Sequence, residues 1–397
     1  MVLIPVGFLT KSDDEEKPEP AAAPRTVAGK ERIERRVELI RQLRFKRETP
    51  VREVSKAQTR REGLAQLSRQ YPLAQRRTDE ELLELLGLLE PGTDLRTISG
   101  SLYGEQVAGF YDTRTKRLSV VQDSSGGAPL VEITLAHELT HALEDQHFTL
   151  RDEDTPGVED GTSAYAALIE GSATSVMTDY ARRYPGSVSL GDALTSLLDS
   201  SGGTGLPPYI EVSALFPYLR GEAFVSELRR VGGWKLVNAA YDRPPSSTEQ
   251  ILHPEKYLRV EQPDPVTLTV RLAAPWRRVA KGTVGEFDTG QLLQRSGAGD
   301  AEDAAAGWGG GAYELWRNGP LPDPACPAPC AKRDALVVAW RWDSVKDARE
   351  FERALRPAVK GMRGAASAIV PGDGTTVLAL APTAAQARTL ASQSPAG

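Results

Sequence analysis

The chain has 397 residues, beyond the size at which one hydrophobic core usually stops growing, so two domains are expected. No apolar run reaches the length of a transmembrane helix, and two cysteines are too few for a disulfide-built scaffold. The net charge of −6 is unevenly spread: residues 25–77 carry sixteen Lys/Arg against six Asp/Glu, which leaves −16 for the remainder.

Residues 1–24 read as a tail. The opening MVLIPVGFLT is apolar but short, without a basic start or a small-residue cleavage pattern, so it is not a complete signal peptide. A charged, Pro/Ala-rich spacer, SDDEEKPEPAAAPR, comes next. Two readings stay open, the remnant of an export signal and a frayed cytoplasmic tail. The basic stretch then reads as helices over Lys30–Arg47, Pro50–Gln70 and Thr78–Leu89, the last with a Thr cap. Glu31, Glu34, Glu38, Glu53 and Glu62 interleave with the cations, and no aromatic stacking platform accompanies them. Solvated helices are therefore expected here, and no nucleic-acid partner.

Gln106–Val121 reads as a β-hairpin turning near Asp112–Lys116. Its edge is suited to pairing with an extended peptide. Gly126, Gly127 and Pro129 then open a helix that contains Thr134-Leu-Ala-His-Glu-Leu-Thr-His-Ala-Leu143, an HExxH pattern. His137 and His141 are four residues apart and so share one helix face, where two imidazoles can close on one tetrahedral Zn²⁺. Glu138 is turned about 100° from His137, beside the metal, where it can take a proton from an activated water. Leu135, Leu139, Ala142 and Gln146 supply a second face for packing.

Two residues compete for the third ligand position. His147 lies six residues after His141, but Glu144 stands where a helix-breaking Gly would be needed to swing it back. On a continuing helix it points about 120° away, as a helix-end residue. Glu170 is the better candidate. Gly161–Thr178 reads as a buried helix in which Glu170 is the one ionisable acid or base of eighteen residues, and Gly171 allows close packing. An unpaired buried carboxylate costs several kcal/mol, so this one needs a proton or a cation. Two His and one Glu leave one position open for water, the arrangement of a catalytic rather than a closed structural site.

Further helices are expected to about Tyr184, over Leu190–Leu198, Tyr209–Arg230 and Trp234–Tyr241, with Ser200–Pro208 as a loop able to act as a lid. In PPSSTEQILHPEKY a capped short helix ends at Pro254. A hydrolytic site needs a donor opposite the base for the oxyanion, and His253, Tyr257 and Tyr111 are the candidates, alongside a plain turn role for His253. From Val260 the pattern changes. VTLTVRL and Leu336–Trp342 alternate with period two, Thr375–Pro382 is a short buried strand, and Val345–Leu355 and Ala384–Ala391 read as helices. Gly307–Gly311 (GWGGG) fits no nucleotide fingerprint and reads as a turn. Cys326 and Cys330, in PDPACPAPCAK, form a poor zinc site; they read as a small-loop disulfide if the protein is exported and as two thiols if not, which tilts the location slightly toward outside the cytoplasm.

HELTH followed by a Glu on a separate downstream helix resembles the gluzincin zinc metallopeptidases. That resemblance implies His137, His141 and Glu170 as ligands of Zn²⁺ and Glu138 as general base. Gluzincins often carry a polar partner shortly after the third ligand, a role that falls here to Thr174 or Asp179. The GFYD hairpin, the EG-A-T helix, TEQILHPEKY and the GWGG segment also resemble, more loosely, exported zincin-like proteins of prokaryotes, over most of residues 95–397. The fold expected is α+β: a mostly helical zincin-like catalytic domain at 25–259 with a small hairpin or sheet, and a smaller α+β accessory domain at 260–397. The expected activity is hydrolysis of a peptide or protein substrate. The alternative is a surface protein that keeps the scaffold without turnover and engages a partner through its C-terminal domain.

Overall fold

The computed structural model describes residues 29–105, 109–121, 127–150, 160–184, 206–295, 297, 299–319, 329–364, 366–371 and 374–392. The N-terminal tail, the expected helix at 190–198, most of the 200–208 loop and Cys326 lie outside these residues. The fold is mixed α+β with a three-stranded and a five-stranded sheet. Among the described residues no helix is long and apolar enough to cross a membrane.

Helix α1 (Lys30–Arg41) stops before the expected Arg47, because Gln42 turns left-handed at φ 60° and returns its N–H to Glu38 O. The expected helix from Pro50 begins instead as strand β1 (Val51–Val54). Its two valines find a parallel ladder with β3 (Arg117–Val121), a distant partner invisible to local propensity. Ser55 then caps α2 (Lys56–Gln70) by accepting from Gln58 N. Helix α3 (Leu73–Leu86) starts behind Pro72 rather than at Thr78, whose hydroxyl bonds back to Ala74 O inside the helix. Gly87 ends it at φ 72°, and α4 (Leu95–Glu105) comes after.

Strand β2 (Gly109–Asp112) pairs antiparallel with β3, giving the sheet order β1-β3-β2 and the expected hairpin. Asp112 closes the turn by accepting from Arg114 N and Thr115 N. Helices α5 (Gly127–Phe148), α6 (Asp160–Arg183) and α7 (Pro208–Asp242) form the helical body, with α7 broken at Gly233 between its two expected halves. Short helices α8 (Thr248–Leu252) and α9 (Pro254–Leu258) lead out of it. Their shared apolar core joins Ile33, Val37 and Ile40 of α1 to Leu135, Leu139 and Leu143 of α5, Leu168 and Val176 of α6, and Phe224 and Leu228 of α7.

The C-terminal part holds β4 (Trp276–Thr283), α10 (Glu286–Gln294), α11 (Ala301–Ala305), β5 (Trp308–Asn318), β6 (Asp334–Trp342), α12 (Val345–Ala358), β7 (Ala366–Pro371), β8 (Thr375–Ala381) and α13 (Ala384–Ser392). Its sheet runs β4-β5-β6-β8-β7, antiparallel at every pairing. One face packs on Phe351 and Leu355 of α12 and also on Leu82, Leu85 and Leu86 of α3. Arg317 of β5, buried, pairs with Glu81 of α3 at 2.5 Å and with Asp334 at 2.6 Å. The chain division expected at 259/260 is thus crossed by a continuous core: α3 belongs physically with the C-terminal sheet, α1 with the metal-motif helices.

Two expectations fail here for steric reasons. VTLTVRL is not a strand. Val266, Leu268, Val270 and Leu272 lie against the second face of the sheet while Thr267, Thr269 and Arg271 are exposed, so the alternation marks a strap lying on a sheet. GWGGG is not a turn but the start of β5. A Cβ on Gly310 would sit 2.3 Å from Asp264 O of that strap, and one on Gly311 2.3 Å from Val284 O.

Asp160, buried at the start of α6, accepts from Thr248 N at 3.1 Å and from Thr248 Oγ1 at 2.5 Å. Burial pushes its carboxyl up from 3.8 to about 7. A carboxyl raised on folding favours the folded state below its unfolded pKa and loses that contribution as pH climbs to the folded one. Relative to Asp160→Asn, the native chain should therefore lose up to about 4 kcal/mol of stability between pH ~4 and ~7. Urea unfolding at both ends of that window checks it; parallel pH profiles for the two proteins would refute it.

Candidate metal centre

Helices α5 and α6 bring three donor atoms together. His137 Nε2 lies 3.0 Å from His141 Nε2 and 3.0 Å from Glu170 Oε2, and the His141–Glu170 distance is 3.4 Å. A tetrahedral zinc with ligands at about 2.0–2.1 Å separates its ligand atoms by about 3.3–3.4 Å. The trio thus sits close to three corners of such a tetrahedron before any ion is considered. Two imidazoles and one carboxylate are also a donor set that zinc accepts. His141 is 1% exposed, whereas His137 and Glu170 each keep 6%, so what solvent access the trio has lies on the His137–Glu170 side.

The electrostatics stem from burial. Desolvation alone would raise the Glu170 carboxyl, but the His141 charge and hydrogen bonds from both imidazoles outweigh it and hold it at about 2. Desolvation likewise disfavours the charged His141 ring, yet the Glu170 carboxylate raises its pKa overall. Glu138 goes the other way. Buried on the same helix, it is pushed up to about 8 by desolvation, with the Glu170 charge adding to the rise and His137 and the Tyr111 amide opposing it. Burial thus moves this carboxyl toward the neutral range in which general acid–base groups work.

Tyr111 grips α5 at two levels. Its backbone N–H donates to Glu138 Oε2 at 2.8 Å, and its phenol donates to Asp145 Oδ2 at 2.8 Å, two helical turns further on. Lys116 Nζ, 2.7 Å from the same carboxylate, completes the anchor of the hairpin. Tyr111 therefore meets Glu138 through its main chain, and its hydroxyl is committed to Asp145. This corrects the expectation of a phenol donor.

His253 and Tyr257 are corrected too. His253 Nε2 lies 2.8 Å from Glu286 Oε1 at the start of α10, and Tyr257 donates to Arg243 O at 2.9 Å with its ring edge-on to Phe224. His253 thus fastens the helical body to α10 and Tyr257 fastens α9 to the end of α7, and neither has a contact with the trio among the described residues. His147, as expected of a helix-end residue, is spent elsewhere, with Nε2 2.8 Å from Arg44 O. Of the two expected polar partners, Asp179 pairs with Arg229 at 2.6 Å, and Thr174 Oγ1 has no hydrogen-bond partner among the described residues.

One residue near the trio carries no sequence signal of its own. Tyr218 of α7 places its half-buried ring 6.0 Å from the His137 ring, tilted 31°. It belongs to no motif. The usable signal was Gly221, one turn on, which marks where α7 crosses α6 beside Glu170. A second acidic group, Glu249, Glu261 and Asp343, surrounds Lys256 Nζ at 2.6, 3.1 and 2.6 Å, so an ammonium already fills it.

Residues 271–393, the C-terminal sheet and its helices, match a family described as a domain of unknown function (DUF8575). No curated protein and no solved structure matches the chain.

Proposed function

We propose that this chain is a zinc-dependent peptide hydrolase of the gluzincin type. The observation that carries the reading is the convergence of His137, His141 and Glu170 at near-tetrahedral spacing with a buried Glu beside them. These three residues would hold the ion. Zinc, when bound, acts as a Lewis acid toward a peptide carbonyl and lowers the pKa of water toward ~7. The remaining chemistry belongs to the chain. Glu138, with Oε2 held by the Tyr111 amide, would take the proton of the attacking water and hand it to the leaving amine. Tyr218, whose ring lies 6.0 Å from that of His137, is the candidate donor toward the oxyanion. The substrate is a peptide or protein. Cys330 is disulfide-bonded, and Cys326 is the only other cysteine of the chain, which favours work in an oxidising compartment.

The purified protein loaded with zinc should cleave members of a broad peptide library, and a chelator should stop it. Glu138→Gln should keep its zinc and lose about 10²–10⁴ in rate, the range of a positioned general base. If the native chain holds one zinc and cleaves nothing, the reading gives way to a scaffold kept for binding.

A further inference from the structure

One ligand, His137, is not steadied in the usual way. A metal-binding histidine ordinarily donates its second ring nitrogen to a carboxylate or carbonyl. Here His137 Nδ1 has no hydrogen-bond partner among the described residues. With Thr174 and Asp179 not serving, apolar packing between α5 and α6 needs a polar contact elsewhere to fix their register.

We propose that Glu144 is the positioning residue that fixes this spacing, with Arg41 of α1 as its clamp; the proposal rests on the metal reading above. Glu144 stands one turn after His141, and its carboxylate bridges the elements around it. Oε1 accepts from Arg41 Nε at 2.6 Å and from Ser172 Oγ at 2.5 Å, and Oε2 accepts from Tyr241 OH at 2.8 Å. Ser172 lies two residues beyond Glu170. One carboxylate therefore ties the His141 helix to the Glu170 helix across a single hydrogen bond and to α7 across another. The Arg41 and Glu144 side chains are both 0% exposed. The terminal nitrogens of Arg41 find no hydrogen-bond partner among the described residues and lie instead in an aromatic cage, with Cζ 4.3 Å from the Trp234 ring and 5.7 Å from Phe148, itself stacked on Tyr241 at 4.4 Å.

Stability does not account for such a pair. Apolar replacement of both partners of a buried ion pair is often neutral or stabilising, whereas removal of one partner leaves a buried charge. What the pair supplies is register between helices that carry different ligands of one ion.

The test separates the two roles. The double variant Arg41→Met/Glu144→Met removes both charges, and Tyr241→Phe/Ser172→Ala leaves the ion pair and deletes the two hydroxyl donors. Melting of the metal-free proteins reads the fold, and chelator competition reads zinc affinity. We expect metal-free melting close to wild type in at least one variant, with zinc bound about 10–100-fold more weakly, the range for losing outer support of a metal ligand. Wild-type zinc affinity in a folded variant of either kind overturns the clamp and leaves the metal reading standing. A native chain that takes up no zinc overturns the metal reading, and the clamp with it.

Discussion

Glu170→Ala is expected to lose zinc, and His147→Ala to keep it. The two substitutions address the same question from opposite sides, because either residue would make a third ligand by distance along the chain. In space the choice is not close. Glu170 Oε2 is 3.0 Å from His137 Nε2 and 3.4 Å from His141 Nε2, whereas His147 faces the Arg44 carbonyl beyond the end of α1. Two imidazoles alone leave zinc half-coordinated, so the loss should exceed the about 10–100-fold typical of residues that only support a ligand. Metal analysis after dialysis against a weak chelator reads the difference directly. Retention of zinc by Glu170→Ala, with loss in His147→Ala, would place the chain in a three-histidine class and overturn the assignment of Glu170 as a ligand.

The same contrast shows what is legible in the sequence. The convergence of His137 and His141 is readable because its geometry is local: four residues of spacing put both on one face. Glu170 is readable because a lone carboxylate in an apolar, Ala-rich helix has to be answered by something. The roles of His253, Tyr257 and the Tyr111 phenol are not, since each depends on a partner contributed by another element: Glu286, the Arg243 carbonyl and Asp145. Glu144 reads only as a helix former, because nothing within a few residues announces Arg41 or Tyr241 as its partners. Alternation in VTLTVRL is real, but periodicity reports a flat neighbour and not a hydrogen-bonded one. Strand β1 fails in the reverse sense, as four residues inside a basic helical pattern are claimed by β3.

Gly171→Ala should be the most damaging small substitution in the helical body. Helices α6 and α7 cross with almost no gap: a Cβ on Gly171 would stand 2.2 Å from the carbonyl carbon and oxygen of Gly221, and one on Gly221 would stand 2.1 Å from Ala167 O. These are backbone atoms, which no rotamer change can move aside. The helices would have to part by roughly an ångström, the shortfall from ordinary packed contact, along an interface that also buries Leu168, Val176, Phe224 and Val225. Overpacking of a side chain against side chains typically costs about 1–3 kcal/mol. A clash with backbone should exceed that and reach about 4 kcal/mol or more, the range of the most damaging single substitutions. The damage should also reach the metal, because Glu170 is the preceding residue and parting the crossing turns its carboxylate off the His137–His141 pair. Denaturant unfolding and zinc titration of Gly171→Ala and Gly221→Ala are the measurements, and both variants should fall together. Wild-type stability in either one would mean that the crossing is looser than these contacts allow.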